Sequence, residues 1–176
     1  MAIIKKFRIK SFKEYEELVK LEKVSMFYNK RQVLHDLTLS IYRQEILGLL
    51  GPNGVGKSTI FHIITGLIDP SFGKIFIKNI ECTNMPIYER TTKFNLGYVP
   101  QHGGFIQDVS LIDNLNLVAE IHIKEKELRL AKIEKIISQF EFDSLLKIKA
   151  KHLSGGQKKK LVIAMSLIND PNILLL

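Results

Sequence analysis

The sequence predicts an α/β fold, and three observations carry that expectation. A short apolar segment, Glu45–Leu50, runs directly into a glycine-rich loop, Gly51–Gly56, and then into a helical stretch from about Lys57 to Thr65. Apolar Val19 and Leu21 alternate with Lys20 and Glu22, and Leu37–Ile41 repeats the alternation, which is the period of a strand. Leu111, Leu115 and Val118, then Ile133, Ile136, Ile137 and Phe140, recur at helical spacing.

The elements follow in order. Residues 1–18 are basic and then mixed in charge, and read as a loosely held extension. Glu45–Leu50 is apolar enough to read as a strand buried on both faces. Gly66 falls where a left-handed residue closes the following helix. Asp69-Pro70-Ser71-Phe72-Gly73 is a turn and Lys74–Lys78 the next strand. A polar stretch, Asn79–Asn95, leads to a short strand, Gly97–Val99, which stops at Pro100-Gln101. Ser110 and Asp113 have the spacing of a capping box, so a helix begins there. Residues from about 105 to 150 read as a helical insertion. A further helix opens at Leu153–Gln157, carries Leu161, Ala164, Met165 and Ile168 on one face, and breaks at Asp170-Pro171. Ile173–Leu176 begins another strand.

Composition narrows the class. The 176 residues suffice for one domain with a core, and 45% are apolar, which argues against disorder. Lys and Arg number 26 against 18 Asp and Glu, a net charge of +8. Cys82 is alone, so an internal disulfide is excluded and a reducing compartment expected. No apolar run approaches the ~20 residues of a membrane span. The charged N-terminus has no apolar segment behind it, unlike a secretory signal. His35, His62, His102, His122 and His152 lack metal-ligand spacing and suit packed or solvated roles. Lys158-Lys159-Lys160 reads as a solvated helix face, and nucleic-acid binding is not needed to explain it.

Chemistry concentrates in two motifs. Gly51-Pro52-Asn53-Gly54-Val55-Gly56-Lys57-Ser58 matches G-x-x-x-x-G-K-[ST] between a strand and a helix, with Thr59 next in the helix. Glycines let successive backbone N–H groups turn inward onto phosphate oxygens. The helix N-terminus adds partial positive charge, Lys57 a full one, and the Ser58 hydroxyl a ligand for Mg²⁺. A mononucleotide triphosphate site is expected. About a hundred residues on, Leu153-Ser154-Gly155-Gly156-Gln157 places two glycines and a hydroxyl at a helix start, a second device for holding an anion.

Together the two motifs resemble the Walker A loop and the signature of the ATP-binding subunits of ABC transporters. Gln101, closing Gly97-Tyr98-Val99-Pro100-Gln101, resembles the Q-loop glutamine, and Tyr28 in Met26-Phe27-Tyr28-Asn29-Lys30 the aromatic that stacks on adenine. The resemblance runs from about Val19 to Leu176. Within the family, Pro86-Ile87-Tyr88-Glu89-Arg90 and the stretch from Gly97 through Phe105 to Ser110–Leu115 are similar to the lipopolysaccharide-export ATPases. Branched-chain amino-acid importers share much of this.

The resemblance implies a P-loop NTPase of ABC type, with an antiparallel β subdomain and a helical subdomain, incomplete at the C-terminus. Its domains would be residues 1–18 as an extension and 19–176 as the ATP-binding domain, with the helical subdomain at about 105–150. Tyr28 would stack on the base. Gly51, Pro52, Asn53, Gly54, Val55, Gly56, Lys57, Ser58 and Thr59 would surround the phosphates. Ser58 and Gln101 would contact Mg²⁺, with Gln101 also sensing the attacking water. Leu153, Ser154, Gly155, Gly156 and Gln157 would face the ATP of a second subunit, which implies a homodimer or heterodimer of ATP-binding subunits. A membrane-embedded permease would be the further partner, placing the chain in the cytoplasm on the inner face of the membrane, with no nucleic acid involved.

Family members carry an Asp, then a Glu, after four apolar residues of the Walker B strand, and a switch His later. Asn172-Ile173-Leu174-Leu175-Leu176 resembles the start of that strand, and the sequence stops one residue before the Asp. Hydrolysis by this chain alone is therefore expected to be severely impaired. The alternatives are a non-catalytic nucleotide-binding remnant or regulatory partner, and a soluble superfamily member acting on nucleic acid.

Overall fold

The computed structural model describes residues 3–8 and 16–176. The expectation of a loosely held extension over residues 1–18 thus falls partly, at residues 1, 2 and 9–15, outside the described residues. The chain divides into two compact units, Met1–Phe94 and Asn95–Leu176.

The first unit contains β1 (Ile3–Arg8), β2 (Glu17–Tyr28), β3 (Arg31–Tyr42), β4 (Glu45–Leu50), α1 (Lys57–Thr65), β5 (Phe72–Ile77), β6 (Ile80–Glu81) and α2 (Ile87–Phe94). A four-stranded antiparallel sheet runs in the order β3-β2-β5-β6. Its buried face carries Val19, Leu21, Val24, Leu39, Ile75 and Ile77. The alternation seen in sequence at Val19–Glu22 and Leu37–Ile41 belongs to strands of 12 residues each. Register shifts beyond Leu21 blur the period, which is why the strands read shorter than they are.

Three expectations change in this unit. Ile3–Arg8, expected as loose extension, is a strand paired antiparallel with β4, from Ile3 opposite Leu50 to Arg8 opposite Glu45. Glu45–Leu50, expected to be buried on both faces, is half-open: Ile46 is 60% and Leu50 48% exposed. Among the described residues β4 pairs only with β1, and a two-stranded ribbon cannot enclose a strand as a wide parallel sheet does. The polar stretch Asn79–Asn95 also holds an unexpected helix, α2, which buries only Arg90 and Phe94, four residues apart.

The second unit contains β7 (Leu96–Tyr98), α3 (Leu111–His122), α4 (Lys126–Phe140), a 3₁₀ turn at Ala150–His152, α5 (Gly155–Ser166) and β8 (Ile173–Leu175). Strands β7 and β8 pair in parallel, Leu96 opposite Ile173 and Tyr98 opposite Leu175. One apolar core joins the three helices through Leu111, Leu115, Ile133, Ile136, Leu161 and Ile168. Helix α3 starts as its sequence dictates: the Asp113 amide donates to Ser110 Oγ, and Ser110 N–H donates back to Asp113 Oδ2. Helix α4 ends on Glu141 in the left-handed region (φ 57°), behind which Phe140 and Phe142 stack at 5.6 Å.

Candidate functional site

In the first unit, β4 delivers the chain into the loop Gly51–Gly56, and α1 leaves it. Gly54 (φ 78°) and Gly56 (φ 100°) are both left-handed. Gly56 is also the N-cap of α1, and a Cβ there would lie 2.8 Å from Leu34 Cδ2 and 3.1 Å from Val33 Cγ1 on β3. Glycine is therefore demanded twice, by backbone sign and by space. Gly56→Ala is expected to cost about 1–2 kcal/mol for the left-handed backbone alone, read as a lowered urea midpoint; an unchanged midpoint would contradict this geometry.

The loop is open where a ligand would approach. Gly51, Pro52, Asn53 and Gly54 are exposed, Val55 is half-buried, and a Cβ on Gly54 would touch nothing within 4 Å. The first turn of α1 carries no acidic residue, so its N-terminal partial positive charge is not neutralised. Lys57 Nζ folds back over the loop, donating to Gly51 O at 2.7 Å and Pro52 O at 2.8 Å. Ser58 is exposed beside it, whereas Thr59 is buried. This donor set of amides, an ammonium and a hydroxyl fits a Mg²⁺-bound polyphosphate. Tyr28 ends β2 opposite Arg31, 44% exposed and free to present its ring. Its neighbour Phe27 is engaged edge-on with Phe72 at 6.2 Å.

In the second unit Ser154 is the N-cap of α5. Gln157 N–H donates to Ser154 Oγ at 3.2 Å, and Ser154 N–H donates to Gln157 Oε1 at 2.8 Å. This capping box was readable as S-x-x-Q and was missed. Leu153 is buried beneath it. A Cβ on Gly155 or Gly156 would meet nothing within 4 Å. Neither glycine is required by the packing of this chain; their bareness keeps backbone accessible.

Gln101 is exposed in the loop after β7. It lines an open depression of about 210 Å³ with His102, Phe105, Gly155 and Lys158. The structure thus brings the loop of Gln101 and the start of α5 together within one unit. Close by, the Lys151 ammonium bonds Asp108 Oδ1 at 2.7 Å and holds that carboxyl below its ordinary pKa. Cys82 is buried, and burial pushes its thiol up, away from nucleophile chemistry. Among the described residues no group of three or more His, Cys, Asp or Glu is placed to hold a metal ion. No described helix is long and apolar enough to cross a membrane.

Two supporting residues escaped sequence reasoning. Arg90 is fully buried and donates to Met85 O, Ile63 O, Ile64 O and Thr83 O. Asn114, 1% exposed, holds the main chain of Ile106 and Ser110. Neither a charged residue facing inward nor an asparagine inside a helix announces itself by hydropathy.

The architecture is that of an ATP-binding cassette. It superposes on the cassette MJ1267 of an ABC transporter with a TM-score of 0.76 at 24% identity, over 90% of this chain and 67% of that one. It also superposes on the dimeric post-hydrolysis state of the cassette MJ0796 bound to ADP and Pi, with a TM-score of 0.73 at 27% identity, over 89% of this chain and 72% of that one. The ABC transporter family model matches residues 34–176, and the chain belongs to that family. An uncharacterized ABC transporter ATP-binding protein of Rhizobium meliloti is 38% identical over 85% of this chain and 55% of its own length. The lipopolysaccharide export system ATP-binding protein LptB of Acidithiobacillus ferridurans is 33% identical over 91% and 66%. LptB of Escherichia coli K12 is 32% identical over 85% and 62%. The chain spans between about half and two thirds of the length of these curated relatives.

Proposed function

We propose that this chain is the ATP-binding part of an ABC transporter, taking ATP with Mg²⁺ and working with a second ATP-binding subunit and a membrane-embedded permease. It would sit peripherally on the cytoplasmic face, through the permease. The observation that carries the reading is the pair of bare glycine surfaces. Gly54 in the phosphate loop and Gly155–Gly156 at the start of α5 leave backbone open, with no neighbour within 4 Å of where a Cβ would stand. Lys57 and the Gly51–Gly56 amides are proposed to hold phosphates, Ser58 and Gln101 to contact Mg²⁺, and Tyr28 to stack on the base. Ser154, Gly155 and Gly156 are proposed to meet nucleotide held by the second subunit. The LptB relatives support lipopolysaccharide as the transported class.

Binding is the direct test of the phosphate-loop assignment. The purified chain is expected to bind fluorescent ATP·Mg²⁺ and to bind AMP more weakly by about tenfold or more. Equal affinity for adenosine and ATP would overturn the phosphate-loop assignment.

A further inference from the structure

We propose that Asn114 is a positioning residue that sets the reach of the Gln101 loop. The proposal rests on the reading of Gln101 as a Mg²⁺ contact and adds the element that controls it.

The loop is anchored at both ends and loose between them. Upstream, Val99 N–H donates to Leu175 O at 2.8 Å, continuing the ladder of β7 and β8. Downstream, Asn114 Oδ1 accepts from Ile106 N–H at 2.7 Å while its Nδ2 donates to Ile106 O and Ser110 O, both at 3.0 Å. One buried amide therefore takes both main-chain groups of Ile106 and uses its acceptor and both donors in doing so. Beyond that point the chain stays stitched down: Lys151 N–H donates to Gln107 O and Ala150 N–H to Val109 O, both at 2.9 Å. Among the described residues, no hydrogen bond secures the main chain of 100–105.

That free stretch contains Gln101 and two left-handed glycines, Gly103 (φ 73°) and Gly104 (φ 85°). Gly103 stands in open space. Gly104 lies so close to Pro100 and to Val162 of α5 that a Cβ would come within 2.9 and 3.0 Å of them. The loop can pivot at Gly103, but its far end cannot creep past Ile106 while Asn114 holds. Because Asn114 sits in α3, any shift of the helical layer is passed to the loop at Ile106.

The test uses the full chain. In Asn114→Leu, which keeps the shape and removes every hydrogen bond, the Ile106 amide should exchange with solvent about tenfold faster while amides of α4 do not change. The enhancement of ATP affinity by Mg²⁺ should fall about fivefold, with affinity in EDTA unchanged. Gln101→Ala should produce the same fall, and the double variant should be no worse than either single one. Unchanged Ile106 exchange overturns the clamp. Fast exchange with a full Mg²⁺ enhancement overturns the positioning role, as does equal loss of affinity with and without Mg²⁺. If Gln101→Ala itself leaves the enhancement intact, the reading of Gln101 has failed, and the exchange data still decide the clamp. Should Asn114→Leu not fold, Asn114→Ser, which leaves space for water, takes its place with the same expected directions.

Discussion

Replacing Arg90 by methionine is expected to destabilise the first unit by about 3–5 kcal/mol, a loss of the size seen when a buried, hydrogen-bonded charge is removed. The guanidinium reaches four carbonyls: Met85 O at 2.6 Å, Ile63 O at 2.6 Å, Ile64 O at 3.1 Å and Thr83 O at 2.8 Å. Two of these belong to the last turn of α1, where helix carbonyls lack partners and the macrodipole is negative. The charge is tolerable without a direct ion pair because the helix end supplies opposing partial charge and the Asp69 carboxylate also favours the cation. Burial still lowers the guanidinium from its ordinary pKa. Gly66 makes the arrangement possible, since a Cβ on it would lie 2.8 Å from Arg90 Nε and 2.7 Å from Met85 O. Methionine fills part of the volume and removes the guanidinium's bonds to all four carbonyls, of which Ile63 O keeps the Gly66 amide. Arg90→Lys should rescue little, because a point ammonium cannot span a planar fork. The measurement is urea unfolding followed by circular dichroism. A loss under about 1 kcal/mol, the range of an ordinary surface change, would refute the account.

The same residue shows where sequence reading stops. The strand, glycine loop and helix around Gly51–Gly56 and the helix start at Ser154 were legible because the demand that shapes them is local. Gly66 as helix terminator and Ser110–Asp113 as a capping box are local too, and the structure has both. Helix α2 was invisible because it buries only two residues, one of them charged, so its inward stripe looks polar. The burial of β4 was overestimated because composition reports what a strand tolerates, while burial depends on what covers it. Asn114 and Arg90 act on main-chain groups 4 to 27 residues away, and no side-chain pattern records a carbonyl.

Lys57→Ala should weaken ATP·Mg²⁺ binding by about a hundredfold while leaving the fold almost untouched. With two charge-assisted hydrogen bonds at stake, a loss of about 3 kcal/mol is the central expectation, and each 1.4 kcal/mol is tenfold in affinity. The lysine now spends its donors on Gly51 O and Pro52 O. Those are exposed carbonyls that water satisfies equally well, so the unfolding midpoint should move by less than about 1 kcal/mol. The split distinguishes a ligand-binding lysine from a structural one: affinity collapses and stability does not. Lys57→Arg is the sharper control. It keeps the charge, but a broad planar fork must enter a loop closed by a compact ammonium, so binding should stay well below that of the natural chain. Titration with a fluorescent ATP analogue, beside a urea curve on the same samples, reads both quantities. If Lys57→Ala binds within threefold of the natural chain, the phosphates do not lie at this loop and the nucleotide site must be sought elsewhere.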